Sequence, residues 1–250
     1  MRSIAAGSPD AVLVSGDIGE STDVAGYLQE MAEVVRRPVY FVLGNHDFYR
    51  GSIAGTRQEV TQLAAASDWL VYLNACGPVA LSPTTALVGH DGWGDARLGD
   101  YAGSEVLLND FFLIDELKRS NLGPWEPDRA MLAEALQALG DEAAEHFARV
   151  LPEALASHRH VVAVTHVPPF AEAAWHRGKQ SDKHWLPFFA CKAVGDTIRD
   201  VMQKHLDRRL TVLCGHTHGD GEAQILDNLR VLTGGARYRQ PAVQQVFEFE

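Results

Sequence analysis

Residues 39–47, Val-Tyr-Phe-Val-Leu-Gly-Asn-His-Asp, decide how the rest of the chain is interpreted. Five apolar residues in succession predict a short buried strand, and the polar tetrad Gly44-Asn45-His46-Asp47 follows it directly. An amide, an imidazole and a carboxylate side by side would each need a partner if they were buried in a core. Because open α/β sheets place their chemistry at the carboxyl ends of strands, the tetrad predicts a functional site.

Three other apolar segments end in the same way. Residues 11–15 run into Gly16-Asp17, residues 161–165 run into His166, and residues 210–214 run into Gly215-His216-Thr217-His218. Short β-branched runs separated by helical patterns indicate βαβ units, whose right-handed crossovers bring strand ends to one edge of a sheet. We therefore expect the polar residues at these strand ends to form one cluster: Asp17, Asn45, His166, His216 and His218. Carboxylate, amide and imidazole groups together suit Mn, Fe, Zn or Ni better than Ca.

The series Gly-Asp, Gly-Asn-His-Asp, a single His after a strand and Gly-His-Thr-His resembles the motif series of the calcineurin-like metallophosphoesterases of bacterial type. The order and spacing agree across residues 11–218, so the resemblance covers most of the chain. It implies an α/β protein with a four-layer α/β/β/α sandwich that carries a helical insertion. It also implies metal-dependent hydrolysis of a phosphomonoester or phosphodiester by a metal-activated hydroxide.

The resemblance assigns metal-binding roles to the strand-end residues. It places Asp17 as a bridge between two divalent transition metals, whose identity among Mn, Fe, Zn and Ni the ligands leave open. Asn45, His166 and His216 would complete the protein ligands of one metal. His218 would reach the other metal.

Three further residues are expected to act on the phosphorylated substrate, directly or through a neighbouring side chain. By resemblance, His46 contacts a phosphate oxygen or the leaving group, as an electrophilic stabiliser or general acid. Asp47 would set the tautomer and charge of that imidazole. His90, which follows another strand-like run, is expected to reach the substrate, with a structural role as the alternative.

The amino end departs from the family pattern. Members carry an Asp-x-His sequence after a first strand, which supplies two ligands to one metal, and no such sequence precedes Asp17 here. A parallel crossover takes about a dozen residues or more, so residues 1–10 are expected to hold at most the end of a helix. Either the chain starts late relative to its family, which we favour, or the protein works without these ligands. In the second case one metal would bind, and the alternative function is a catalytically weak or inactive single-metal scaffold.

Composition narrows the domain organisation and the partners. With 250 residues, of which 46% are hydrophobic, a single domain over residues 1–250 is expected to bury one large core. Within it, residues 97–160 are predicted as a helical elaboration that could serve as a cap, with helices over residues 107–117, 128–139 and 141–155. The formal net charge of -11 argues against a nucleic-acid surface and leaves a small phosphorylated substrate as the expected partner.

Cysteine usage and hydropathy bear on the setting of the protein. Its three cysteines, Cys76, Cys191 and Cys214, lie far apart without a Cys-x-x-Cys pair, which indicates a reducing, cytoplasmic setting. No apolar run approaches the roughly 20 residues that span a bilayer. We therefore expect no membrane partner.

Overall fold

The strands that precede the polar residues lie in two separate sheets. In the computed structural model, which describes residue 7 and residues 9–238 and 240–249, the smaller sheet has three parallel strands. These are β1 (Val12–Ser15), β2 (Val39–Val42) and β3 (Leu70–Tyr72), in the order β1-β2-β3. The helix end that we expected among the first ten residues falls largely on residues 1–6 and 8, which lie outside the described residues.

The larger sheet has six strands and is mostly parallel. Its members are β4 (Val79–Ala80), β5 (Thr85–His90), β8 (His160–Thr165), β11 (Arg209–Cys214), β12 (Gly221–Leu226) and β13 (Leu229–Thr233). Their order is β12-β13-β11-β8-β5-β4, and only β4 and β12 run antiparallel to their neighbours. Two short hairpins are formed by β6 (Asn121–Gly123) with β7 (Glu126–Pro127) and by β9 (Trp175–His176) with β10 (Lys179–Gln180).

Helices connect and cover these sheets. They are α1 (Val24–Val35), α2 (Ile53–Ala65), α3 (Asp110–Leu113), α4 (Asp115–Lys118), α5 (Arg129–Ser157), α6 (Leu186–Phe189) and α7 (Lys192–Gln203). The predicted crossover helix between β1 and β2 is α1, whose buried residues recur every three or four positions and therefore share one face. Across the described part of the chain, no helix is long and apolar enough to cross a membrane.

The two sheets face each other across an apolar layer. Val42 of β2 packs there with Val162 of β8. On the outer side of the smaller sheet, α1 and α2 bury residues such as Leu28 against β2 and β3. On the outer side of the larger sheet, α5 and α7 bury residues such as Phe147 against β8 and β11. The layers are therefore helix, sheet, sheet and helix, and the predicted four-layer α/β/β/α sandwich is confirmed.

The segment predicted as a helical elaboration, residues 97–160, contains α3, α4 and α5, whose bounds differ from those expected. The helix expected over residues 107–117 is broken into α3 and α4, because Ile114 is extended and forms a β-bridge with Gly51. The two helices expected on either side of residue 140 are one helix, α5. Gly140 is required for a close approach rather than a break, since a Cβ there would lie 2.5 Å from the Cβ of Asp95. The part of α5 from Ala143 onward packs on the larger sheet, and the cap stays a prediction.

Candidate metal centre

Four polar side chains meet at the carboxyl ends of β1, β2, β8 and β11. The Asn45 Oδ1 atom lies 3.1 Å from His166 Nε2 and 3.0 Å from His216 Nδ1. His166 Nε2 in turn lies 3.3 Å from His216 Nδ1 and 3.3 Å from Asp17 Oδ1. The predicted gathering of these residues at one edge therefore occurs, although two of the strands belong to one sheet and two to the other.

Hydrogen bonds on the far side of each imidazole fix which nitrogen faces the cluster. His166 Nδ1 lies 2.7 Å from the Ser15 carbonyl oxygen, and His216 Nε2 lies 3.1 Å from that of Phe188. A carbonyl oxygen only accepts, so these nitrogens carry the protons and the opposite nitrogens present lone pairs. Burial, together with the neighbouring His166, lowers the pKa of His216 to about 3. His216 is therefore neutral at physiological pH, and its lone pair points into the cluster.

The amide of Asn45 is oriented in the same sense. Its Nδ2 donates to Asp110 Oδ1 at 2.8 Å and to the Tyr49 hydroxyl at 3.3 Å, so its oxygen faces the imidazoles. Oxygen and nitrogen lone pairs thus converge without a proton between them. Around a metal bound at about 2.0–2.1 Å, adjacent donor atoms lie about 3.0–3.4 Å apart. The observed separations suit a cation at the centre of the cluster.

A metal at this cluster would need the amide oxygen of Asn45 as a ligand. Among the described residues, no three or more His, Cys, Asp or Glu side chains by themselves form a group that could hold a metal ion. Asn45 supplies the further donor, since its oxygen lies within 3.1 Å of both imidazole nitrogens. Two hydrogen bonds fix the orientation of this amide, so its oxygen stays directed at the imidazoles. The set fits a divalent metal with nitrogen and oxygen ligands.

Two glycines allow the loops after β1 and β2 to touch. Gly16 has φ of +96°, a left-handed conformation, and a Cβ there would lie 2.5 Å from the backbone nitrogen of Gly44. A Cβ on Gly44 would lie 2.2 Å from Asp17 Oδ1. This contact brings Asp17 beside the imidazoles.

The carboxylate of Asp47 joins the loop after β1 to the loop after β2 by hydrogen bonds. Its Oδ1 accepts from the backbone amides of Ile18 at 2.8 Å and Gly19 at 2.7 Å, and its Oδ2 accepts from that of Gly44 at 2.8 Å. Burial and the charge of Asp17 raise the pKa of Asp47, while the three amides oppose that shift. We expected Asp47 to orient His46, but its side-chain hydrogen bonds in the described residues go to the backbone. Its contacts are those of a group that positions the loops.

His46 and His218 flank the cluster and share an aromatic neighbour. The His46 ring stacks on Tyr49, with centroids 4.4 Å apart, and its backbone amide donates to Asp17 Oδ1 at 3.1 Å. The Tyr238 ring lies 5.8 Å from that of His46 and 4.8 Å from that of His218. Tyr238 is 68% exposed, so it forms part of the rim above the cluster. No sequence motif marks Tyr238, so its place beside the cluster could not be predicted.

Asp91 ties the smaller sheet to the larger one behind the cluster. Its buried carboxylate accepts from the Leu43 amide at 2.8 Å, from Arg57 Nε at 2.9 Å and from the Tyr72 hydroxyl at 2.6 Å. Its backbone oxygen accepts from the amide of His166 at 2.8 Å. One residue therefore contacts both the position just before the polar tetrad and the histidine that follows β8.

His90 lies in a different environment from the other predicted site residues. It is buried, its Nδ1 accepts from the Gly92 amide at 3.1 Å, and its ring packs on those of His146 at 5.1 Å and Phe147 at 6.5 Å. Glu142 lies 3.9 Å from its Nε2. These neighbours favour the structural alternative, and contact of His90 with substrate stays a prediction.

The fold and the cluster together define a class, namely four-layer α/β/β/α proteins whose strand ends present nitrogen and oxygen donors suited to divalent metals. The sequence matches the calcineurin-like phosphoesterases over residues 1–220. This chain belongs to the calcineurin-like phosphoesterase family, and the resemblance carried by the four motifs is confirmed. Metal-dependent phosphoester hydrolysis is the general activity that this membership supports.

Comparison with solved structures agrees with this fold. A dimetal phosphatase from Danio rerio is similar with a TM-score of 0.55 and 14% identity, over 93% of this chain and 74% of that chain. At this identity the likeness bears on the fold alone. A UDP-glucuronic acid 4-epimerase from Bacillus cereus, at 11% identity over 82% of this chain and 56% of that chain, has a TM-score of 0.29 and carries no argument. The search of curated proteins gave no match.

Proposed function

We propose that this chain hydrolyses a small phosphomonoester or phosphodiester at a centre that holds two divalent transition metals. The observation that carries the proposal is the convergence of lone pairs from Asp17, Asn45, His166 and His216, whose nearest approaches lie between 3.0 and 3.3 Å. These atoms repel one another unless a cation lies among them. Imidazole nitrogen with carboxylate and amide oxygen suits Mn, Fe, Zn or Ni.

The residues divide between the two metals as follows. Asn45, His166 and His216 would hold one metal, His218 would hold the other, and Asp17 would serve both. The Tyr238 ring lies 4.8 Å from that of His218 and 5.8 Å from that of His46, which supports the placement of His218 beside the same site. When bound, such metals polarise the phosphoryl oxygens and bring the pKa of a bound water to about 7.

We assign His46 the role of contacting the phosphoryl oxygen or protonating the leaving group. Its ring is held against Tyr49, and its backbone amide is bonded to the proposed bridging carboxylate. Both contacts keep the imidazole beside the place where the reacting phosphorus would lie, as general acid catalysis requires. Asp47 acts as a positioning residue, because it fixes the loops that carry Asp17 and Asn45 rather than touching the reacting atoms.

The alternative is a catalytically weak or inactive scaffold that binds one metal. Family membership does not favour it. A scaffold would also have no chemical need for His46, whose imidazole is not among the proposed metal ligands and lies beside exposed Tyr238.

Charge and cysteine state support the expected partner and setting. The net charge of -11 favours a small phosphorylated substrate over nucleic acid, because bound divalent cations supply positive charge locally without a basic surface. Cys76, Cys191 and Cys214 are all free thiols, which supports a reducing, cytoplasmic setting.

Metal content and hydrolysis, measured on the same purified protein, test the proposal. We expect binding of Mn²⁺ by elemental analysis after dialysis, and turnover of nitrophenyl phosphate or bis-nitrophenyl phosphate when Mn²⁺ is present. Asp17→Asn is expected to lose bound metal and turnover together. Asp10→Asn, the same change at an exposed turn before β1, is the matched control and should behave as the unaltered protein.

Three outcomes contradict the proposal. Absence of divalent metal from the unaltered protein would refute the centre. Full metal occupancy in Asp17→Asn would refute the bridging role. Bound metal with no turnover of either ester would support the scaffold instead.

A further inference from the structure

Asp110 is a buried carboxylate that belongs to none of the strand-end motifs. It lies on α3, 65 residues after Asn45 in the chain, and is only 3% exposed. Its Oδ1 accepts from Asn45 Nδ2 at 2.8 Å and from the Tyr49 hydroxyl at 2.7 Å. A buried charge is costly unless hydrogen bonds compensate it, so this placement calls for a reason.

Backbone bonds fasten the segment that carries Asp110 to the loop that follows β2. The amide of Arg50 donates to the Leu113 carbonyl at 2.8 Å, and the amide of Asp115 donates to the Gly51 carbonyl at 2.9 Å. The Glu116 carboxylate accepts from the amide of Ile53 at 2.8 Å. Asp110 is therefore held at a fixed place relative to the loop that carries the polar tetrad.

The carboxylate selects one of two orientations of the Asn45 amide. The two orientations have nearly the same shape, but only one presents oxygen to His166 and His216. In the other orientation, the amide nitrogen would donate to the two imidazole lone pairs, which would satisfy them without a metal. A carboxylate can only accept, so Asp110 requires the amide nitrogen on its own side and keeps the oxygen toward the imidazoles.

The same carboxylate also reaches His46 through one intermediate. The Tyr49 hydroxyl donates to Asp110, and the Tyr49 ring stacks on the His46 ring at 4.4 Å with 28° between the planes. Tyr49 therefore cannot turn away without losing the bond to Asp110. Asp110 is thus connected to a proposed metal ligand directly and to the proposed acid indirectly.

We propose that Asp110 is a positioning residue of the metal centre, which holds the Asn45 amide with its oxygen toward the metal and braces His46 through Tyr49. The inference rests on the proposed metal-dependent function. It gives the α3 segment a definite task, since this segment supplies the group that makes the tetrad competent to bind metal. Outer-shell partners of metal ligands typically account for about 10–100-fold in metal affinity or activity.

Two substitutions that keep the branch at Cγ separate this role from simple packing. Asp110→Leu fills the space without an acceptor, whereas Asp110→Asn can place an amide oxygen where Oδ1 stands. By isothermal titration with Mn²⁺, we expect Asp110→Leu to weaken binding about 10–100-fold and Asp110→Asn to weaken it far less. Asp115→Asn, at an exposed position in the next helix, is the control and should bind Mn²⁺ as the unaltered protein does.

A second comparison, made in the Asn45→Asp variant, distinguishes an orienting role of Asp110 from a purely structural one. In Asn45→Asp, the side chain carries two equivalent oxygens, and either can face the metal. The orientation of the side chain therefore no longer matters. Adding Asp110→Leu to that variant should therefore leave Mn²⁺ affinity unchanged or improve it. If Asp110→Leu does not fold, Asp110→Ala makes the same comparison.

The outcomes distinguish this inference from the function on which it rests. If the unaltered protein binds no Mn²⁺, the proposed function fails. If the unaltered protein binds Mn²⁺ and the folded Asp110→Leu or Asp110→Ala variant binds it equally well, Asp110 does not position Asn45. Equal losses from Asp110→Leu in the otherwise unaltered chain and in the Asn45→Asp background would also overturn the inference.

Discussion

Replacement of Asp91 by alanine should destabilise the protein severely, because one buried carboxylate serves three donors from different parts of the fold. The Leu43 amide and the Tyr72 hydroxyl are buried and would be left without an acceptor. Arg57 would lose one carboxylate but keep Glu142, which accepts from its Nη1 at 2.7 Å.

The size of the loss follows from these contacts. Removal of one partner from a buried ion pair costs about 3–5 kcal/mol. The remaining bond from Arg57 to Glu142 places the expected loss near the lower end, at about 3 kcal/mol. Loss of the hydroxyl alone, in Tyr72→Phe, removes one hydrogen bond to a charged group and should cost about 1.5–3 kcal/mol. Against a total stability of roughly 5–15 kcal/mol, both variants should still fold.

Urea unfolding of single and double variants measures these quantities. In the Asp91→Ala background, Tyr72→Phe should cost nothing, because the hydroxyl has already lost its acceptor, and the cycle should return a coupling of about 1.5–3 kcal/mol. Asp115→Ala, which removes an exposed ion pair with Lys118, serves as control and should change stability by about 0–1 kcal/mol. Additive losses, or an Asp91→Ala loss no larger than the control's, would refute the assigned network.

Three further variants test the centre and its surroundings. His46→Ala should retain Mn²⁺ by elemental analysis and lose most turnover, about 100-fold or more, and unchanged turnover at full occupancy would remove His46 from the mechanism. Gly44→Ala should weaken Mn²⁺ binding, because the added Cβ would lie 2.2 Å from Asp17 Oδ1, and affinity equal to that of the unaltered protein would contradict the close approach of the loops. Burial and nearby Arg149 lower the pKa of His146 to about 4, whereas a histidine in the unfolded chain has a pKa of about 6.5. As the pH falls, the unfolded chain therefore binds a proton at His146 before the folded protein does. The free energy of unfolding should therefore fall from pH 6.5 to 4, by up to about 3 kcal/mol from this residue, and His146→Gln should reduce that slope in urea titrations; an identical slope would contradict the assignment.

The strand-end residues of the centre could be predicted because their signal is local. An apolar run followed directly by Asp17, by Asn45 or by His166 predicts both a strand and the position of the polar residue at its end. Parallel pairing brings these ends together within each sheet, and the packing of the two sheets face to face joins the four segments in one cluster.

The partners of those residues carry no such signal. Asp110 approaches Asn45 because its segment is fastened to the loop after β2, where Gly51 bridges to Ile114, and no sequence pattern in either segment predicts that pairing. The same bridge explains why the helix expected over residues 107–117 is interrupted: tertiary contacts outweigh its local preference. Asp47 illustrates the limit for motifs themselves: the family resemblance implies that it sets the tautomer and charge of His46, whereas its oxygens accept from backbone amides.

Anomalous diffraction from crystals soaked with Mn²⁺ tests the central claim most directly. We expect a manganese peak about 2.0–2.3 Å from Asn45 Oδ1, His166 Nε2 and His216 Nδ1, with Asp17 also in contact. A peak at a different place, or no peak between these atoms at saturating Mn²⁺, would contradict the assignment of these strand-end residues as a metal centre.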